Sequence, residues 1–282
     1  MQKPEPKSTD ISLQITTPSR RYPPVGRCIY CRAHSNNLKL EHIVPFGLAG
    51  NALLLPKASC TRCESITGGF EQTCLRTIFG RFRIRIGAPT RNPKDRPKTL
   101  DLVRVRREST GSFTTLSVEE IPSQEFPLAF IGLRLRPAGI LEGLPPSPNV
   151  NGELWSRLSD QDMERFKTGG NQEGIFLGKF KPIVFARLLA KIAHAYAIAE
   201  MGFGSFRPLV TDLILGETDT LSVWVGGDWD IPPATPDGIY ELACNIVTAQ
   251  GKRFVVVTLR LFSFFGTPKY HVVVGELPDA PD

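Results

Sequence analysis

Cys28-Ile29-Tyr30-Cys31, Glu41-His42-Ile43-Val44-Pro45 and Cys60-Thr61-Arg62-Cys63 fall within one short stretch of the chain and set the expected architecture. Four thiols in two CxxC pairs, with 28 residues between the pairs, suit one tetrahedral zinc ion. Each pair sets two sulfurs on a tight turn, and two pairs complete the shell. Redox or incidental pairs are the competing explanation. With all four positions taken by sulfur, the site is closed to water and substrate, so the zinc is expected to be structural.

The chain between the pairs must leave the zinc and return, which a β-hairpin does economically. Residues 38–44 and 52–55 read as its strands, joined by a turn region that contains Gly47 and Gly50. A helix is expected from 59 or 61 toward 79. Phe70, Cys74 and Ile78 recur at four-residue spacing and give it an apolar face. Gly68-Gly69 is expected either to break that helix or to allow close backbone packing, since each interior glycine costs about 1 kcal/mol relative to alanine. Because the zinc site is closed, chemistry needs a second centre, and Glu41-His42 lies on the first strand between the ligand pairs. Neighbouring strand residues point to opposite faces. A local twist would let Glu41 ligate a divalent ion while His42 activates a water.

Taken together, Cys28-x-x-Cys31, Glu41-His42-Ile43-Val44-Pro45, the Gly47/Gly50 turn and Leu55-Pro56-Lys57-Ala58-Ser59-Cys60-x-x-Cys63 resemble the HNH endonuclease family. The closest likeness is to a bacterial subgroup with an EHIxP segment followed by LPxAxC-x-x-C, and it covers about residues 26–87. The resemblance implies a ββα-metal fold in which a hairpin and a helix clamp one catalytic divalent cation, magnesium or manganese. It carries general-base duty onto His42 and ligation onto Glu41. The position just after the second CxxC, usually His or Asn in the family, is Glu64 here. A carboxylate is a competent ligand for either ion. Thr61-x-x-Glu64 also fits a capping box, with Glu64 satisfying a backbone N–H at the helix start, and both readings stand. Glu71, a heptad later, is a further candidate ligand. Leu55 occupies the usual place of the family's middle asparagine, so Asn51 in the hairpin turn is the substitute.

Charge supplies a partner. The chain has 282 residues and a formal net charge of +6. Residues 76–107 hold eleven basic residues against Asp95 and Asp101, a local surplus of nine, while the remainder is net negative. Beside the metal motif, such a segment suits a polyanion, here DNA, with Arg76, Arg81, Arg83 and Arg85 as phosphate contacts. A solvated basic face is the plainer explanation of the charge alone. Cys74 and Cys244 read as buried apolar residues. His34, His194 and His271 read as structural.

The expected fold class is α+β, with a small zinc-stapled ββα-metal module followed by a larger α+β region. Residues 1–25 read as a loosely attached tail, 26–98 as the module with its basic extension, and 99–282 as a C-terminal region of open role. In that region, 137–148 is a proline-rich linker or loop and 182–201 a long amphipathic helix. Antiparallel strands are expected near 101–107, 113–118, 221–225, 239–247, 253–262 and 270–274. Neither a signal peptide nor a membrane-spanning segment is read in the sequence, and the expected compartment is the cytoplasm. The expected function is metal-dependent hydrolysis of DNA phosphodiesters. The alternatives are a zinc-stapled nucleic-acid-binding protein that no longer cuts, and a module that binds another protein.

Overall fold

A computed structural model describes residues 19–166 and 173–278. Expectations that fall on 1–18, 167–172 or 279–282 lie outside the described residues. The elements run β1 (Arg20–Arg21), β2 (Lys39–His42), the one-turn α1 (Phe46–Ala49), β3 (Leu53–Ser59), α2 (Thr61–Thr73) and α3 (Gly80–Arg85). They continue with β4 (Thr99–Arg107), β5 (Phe113–Pro122), β6 (Ala129–Leu135), α4 (Gly139–Glu142), β7 (Gly152–Leu158), α5 (Asp160–Arg165) and β8 (Glu173–Ile175). The last stretch is α6 (Pro182–Met201), β9 (Arg207–Pro208), α7 (Thr211–Leu215), α8 (Leu221–Trp224), β10 (Val225–Gly227), β11 (Tyr240–Ala249), β12 (Lys252–Leu261) and β13 (Tyr270–Glu276). The class is α+β with several antiparallel sheets, as the pattern of the sequence implied.

In the N-terminal part, β2 and β3 form an antiparallel hairpin with Glu41 opposite Leu55 and His42 opposite Leu54. The register slips between Lys39 and Glu41. β1 lies parallel to β3, and Val25 and Gly26 donate to the carbonyls of Pro56 and Lys57. Residues 19–25 are therefore laid along the hairpin, where the sequence reading had a loose tail. Tyr22 is buried, and its hydroxyl donates to Glu200 at the end of α6. Polar, proline-containing sequence gave no periodic signal for a strand of two residues.

α2 begins within the second cysteine pair and, at Cys74–Ile78, loosens into a π-helical turn before α3 resumes. That turn sets Phe79 and Phe82 into an aromatic cluster with Phe130 and Phe262, all buried. α6 begins with Pro182 at its first turn, where a missing N–H costs nothing, and ends at Gly202. It has the length and apolarity of a membrane span, but two-thirds of its most apolar window is buried in this fold. Twelve of its residues are buried, Lys191 and His194 among them. One side packs on α2 and the other on the sheet ordered β10-β13-β12-β11. A single core joins Cys28 and Phe70 in the N-terminal part to Leu189, Val257 and Val272 in the rest. The boundary at 98/99 therefore separates two patterns in the sequence without separating two cores.

One expectation in the C-terminal region changes and one is narrowed. Residues 221–224 form a helical turn, and only Val225–Gly227 is strand, paired with β13. Of the two readings of the proline-rich 137–148, the loop stands and the linker does not: the segment contains the one-turn α4, and Ala138 sits so close to Gly226 that a Cβ on Gly226 would meet the Ala138 backbone nitrogen at 2.2 Å. Leucine, valine and tryptophan at 221–225 suit a strand locally, and packing overrides that preference. β4 and β5 form the expected hairpin, with the β5 edge largely exposed.

Candidate functional site

Local turns build the candidate metal site first. Cys28 accepts from the Arg32 N–H, Arg32 takes a left-handed φ of 61°, and the Ile29 N–H binds the Ala58 carbonyl on β3. The first cysteine turn is thereby stitched to the strand that leads into the second. β3 ends at Ser59, Cys60 caps α2, and Cys63 lies one turn into the helix. The four sulfurs lie within 4.8 Å of one another, and Cys31 and Cys60 are 3.7 Å apart. Four sulfurs about 2.3 Å from one tetrahedral ion stand about 3.8 Å from each other, so the cluster fits a metal such as zinc. Burial pushes the Cys28 and Cys63 thiols up. Burial also opposes the Cys60 thiolate, but hydrogen bonds from Cys63 and the neighbouring thiols bring its pKa to about 7. Four thiolates cannot be held this close without a cation among them, and a bound metal supplies that charge.

Beside the tetrad opens a cleft of about 630 Å³, walled by the end of β2, α1 and one face of α2. Glu41, His42, Glu64, Glu71, Arg76 and Arg91 all line it. Glu41 and His42, neighbours on β2, both reach it because the strand ends at His42 after an irregular register. His42 is half-buried, with its ring edge-on to Phe46 at 6.0 Å. Its Nε2 lies 3.1 Å from Asn51 Oδ1. Burial pushes the His42 pKa below the ordinary histidine value, against the hydrogen bond to Asn51, which favours the charged form.

The carboxylates are arranged differently from the expectation. Glu41 is 6% exposed, and its Oε1 is 2.5 Å from the Lys191 ammonium. Glu71 meets the same ammonium at 2.7 Å. Glu64 is exposed and lies on the cleft wall. Thr61 is the first helical residue and Cys60 the cap, so Thr61 and Glu64 do not form a capping box. Among the described residues, the cysteine tetrad is the one group of three or more His, Cys, Asp and Glu whose ligand atoms lie within 4.8 Å of each other. Glu41, His42 and Glu64 do not converge in that way. The residues present thus do not fit a catalytic divalent ion held by Glu41 and Glu64. The physical reason is the ammonium seated on Glu41.

Among the expected phosphate contacts, Arg76 is exposed and faces the cleft. Arg83 is spent on structure: it donates to the carbonyls of Gly47 at 2.6 Å, Leu75 at 3.0 Å and Pro89 at 2.9 Å. Gly47 permits this, since a Cβ there would meet the guanidinium at 2.8 Å. Arg85 donates to the Phe126 carbonyl, and Arg81 lies over the Phe126 ring. Arg91, not singled out from the sequence, stands on the cleft rim over Phe46. His34 is exposed. His194 is fully buried, and its Nε2–H donates to the Ile29 carbonyl at 2.8 Å, bracing the first cysteine turn. His271 lies between Thr258 and Asp228, at 3.0 and 2.7 Å. Cys74 is buried and donates to the Val184 carbonyl.

Gly68 and Gly69 also resolve. Helix α2 continues through them, and an added Cβ at either would find nothing within 4 Å. They neither break the helix nor admit a neighbour, but leave a stretch of bare backbone on the cleft wall. Comparison of the chain with protein-family models, with curated proteins and with solved structures finds no match.

Proposed function

We propose that this protein is a nucleic-acid phosphodiester hydrolase of the HNH type, acting on DNA with His42 as general base. The observation that carries the reading is the His42–Asn51 pair on the lip of a cleft, built on a hairpin and helix beside a four-cysteine cluster. A carboxamide oxygen can only accept, so it takes the Nε2–H and leaves the lone pair of the ring on Nδ1. The lowered pKa keeps the ring neutral, which is the form a base requires. In the proposed step, Nδ1 removes a proton from a water whose oxygen forms the new bond to phosphorus. The bond from phosphorus to the sugar oxygen breaks, and that oxygen leaves with a proton drawn from solvent. Arg76 and Arg91 provide positive charge for the non-bridging oxygens and for flanking phosphates. The ion in the cysteine tetrad is zinc on this reading, and is structural. The catalytic divalent ion that the resemblance implies is left out, because its ligand Glu41 is already paired.

One observation favours a second reading. A carboxylate engaged by Lys191 suits a protein that holds nucleic acid in this cleft without cutting it. Plasmid nicking by wild type and His42→Ala, with and without magnesium or manganese, separates the two. Loss of a general base lowers the rate by about 10²–10⁴-fold. Equal nicking by both proteins removes His42 from the role. Salt-dependent binding with no nicking by wild type selects the second reading.

A further inference from the structure

Lys191 enters the cleft region from behind, out of the middle of α6, and its side chain is 1% exposed. Its ammonium meets four oxygens. They are Glu41 Oε1 at 2.5 Å, Glu71 Oε1 at 2.7 Å, the His42 carbonyl, and the Ile43 carbonyl at 3.4 Å. Carboxylate and carbonyl oxygens converging from a strand end and a helix are the donor set of a hard cation. The buried Tyr30 hydroxyl stands beside Glu41 and within electrostatic reach of Glu71. Removing either charge type alone from such a buried group leaves the other uncompensated and is strongly destabilising. Neither the lysine nor the carboxylate pair is stable here without the other.

We propose that Glu41, Glu71 and the carbonyls of His42 and Ile43 form a cation seat whose resident is the Lys191 ammonium, which keeps divalent ions off Glu41. A magnesium ion binds carboxylate oxygen at about 2.1 Å and tolerates no ammonium in the same shell. Burial opposes charge on Lys191, but the two carboxylates outweigh it and hold its pKa above the ordinary lysine value. The lysine also fixes the end of β2 through the His42 carbonyl, and so the strand position from which the imidazole projects. Glu41, Glu71 and Lys191 are on this view positioning residues, and α6 is part of the site.

Cation binding reads this seat whether or not the protein cleaves nucleic acid. Manganese binding to the full zinc-loaded chain should show no Glu41-dependent site in wild type. Lys191→Met, its fold checked by circular dichroism, should gain one manganese site tighter by about tenfold or more, lost again in Lys191→Met/Glu41→Gln. A folded Lys191→Met with no gain overturns the seat. A wild-type manganese site weakened by about tenfold or more in Glu41→Gln overturns the residency of the lysine. Should Lys191→Met not fold, wild type alone decides through nitrogen-15 NMR of the lysine ammonium groups. A protected Lys191 signal unchanged by millimolar magnesium supports the proposal, and its loss on adding magnesium overturns it.

Discussion

At the residue scale the site turns on one hydrogen bond. Asn51 accepts from His42 Nε2–H, sets the tautomer and leaves the ring's lone pair on Nδ1, where the proposed base would use it. Burial lowers the His42 pKa below 6.5, so the neutral ring survives to lower pH than a free histidine would. A base works only when unprotonated, so kcat/KM should fall on the acid side with its midpoint below 6.5. Asn51→Asp keeps the acceptor but adds a negative charge beside the ring, which favours imidazolium and raises the pKa. The acid limb of the nicking profile should then move to higher pH, with the alkaline plateau kept. Superimposable profiles for the two proteins would mean that this pair does not govern the reaction. The same residue scale shows why charge alone misleads. Arg83 and Arg85 sit in the most basic stretch, yet their guanidinium groups are used on backbone carbonyls. Nothing in local composition distinguishes them from Arg76, which faces the cleft.

At the element scale, α2 carries two faces with different tasks. Cys63, Phe70 and then Cys74 are buried, while Glu64, Gly68, Glu71, Gln72 and Arg76 line the cleft. The buried face was legible, because four-residue spacing of apolar side chains is a local signal. The role of Gly68-Gly69 was not, because a missing side chain says nothing about whether a neighbour or open space lies opposite. With open space there, Gly68→Ala should stabilise the protein by about 1 kcal/mol through helix propensity, measured by urea denaturation. Gly68→Phe also fits a helix, but its ring would occupy the cleft. Nucleic-acid affinity should drop by about tenfold or more while the fold is retained. Unchanged affinity in Gly68→Phe would show that the polymer binds elsewhere. The hairpin before α2 was legible for the same local reason: two CxxC turns require a chain that goes out and comes back. Its exact register was not, since β3 runs on to Ser59 and the slip near Lys39 leaves no mark in composition.

At the scale of the whole molecule, the parts that decide the site come from far apart in sequence. Lys191 lies 149 residues from His42, and His194 lies 165 from Ile29. The sequence placed both on one long amphipathic helix, where His194 read as structural and Lys191 carried no separate signal. Only the packing of α6 against α2 and the hairpin shows that one braces the first cysteine turn and the other the end of β2. This arrangement has a thermodynamic consequence. A zinc-stapled module hinged to a separate domain would melt on its own, since many small metal-bound units are unfolded without their ion. Here one core runs from Cys28 through α6 to β12 and β13, so the module has no private interior to lose. Calorimetry of the metal-loaded protein should show one cooperative transition. Chelation, or Cys60→Ser with Cys63→Ser, should lower that transition as a unit, because His194 transmits the loss of the cysteine turn into α6. A small early transition that vanishes on chelation, with the main one unmoved, would show that residues 26–98 fold by themselves.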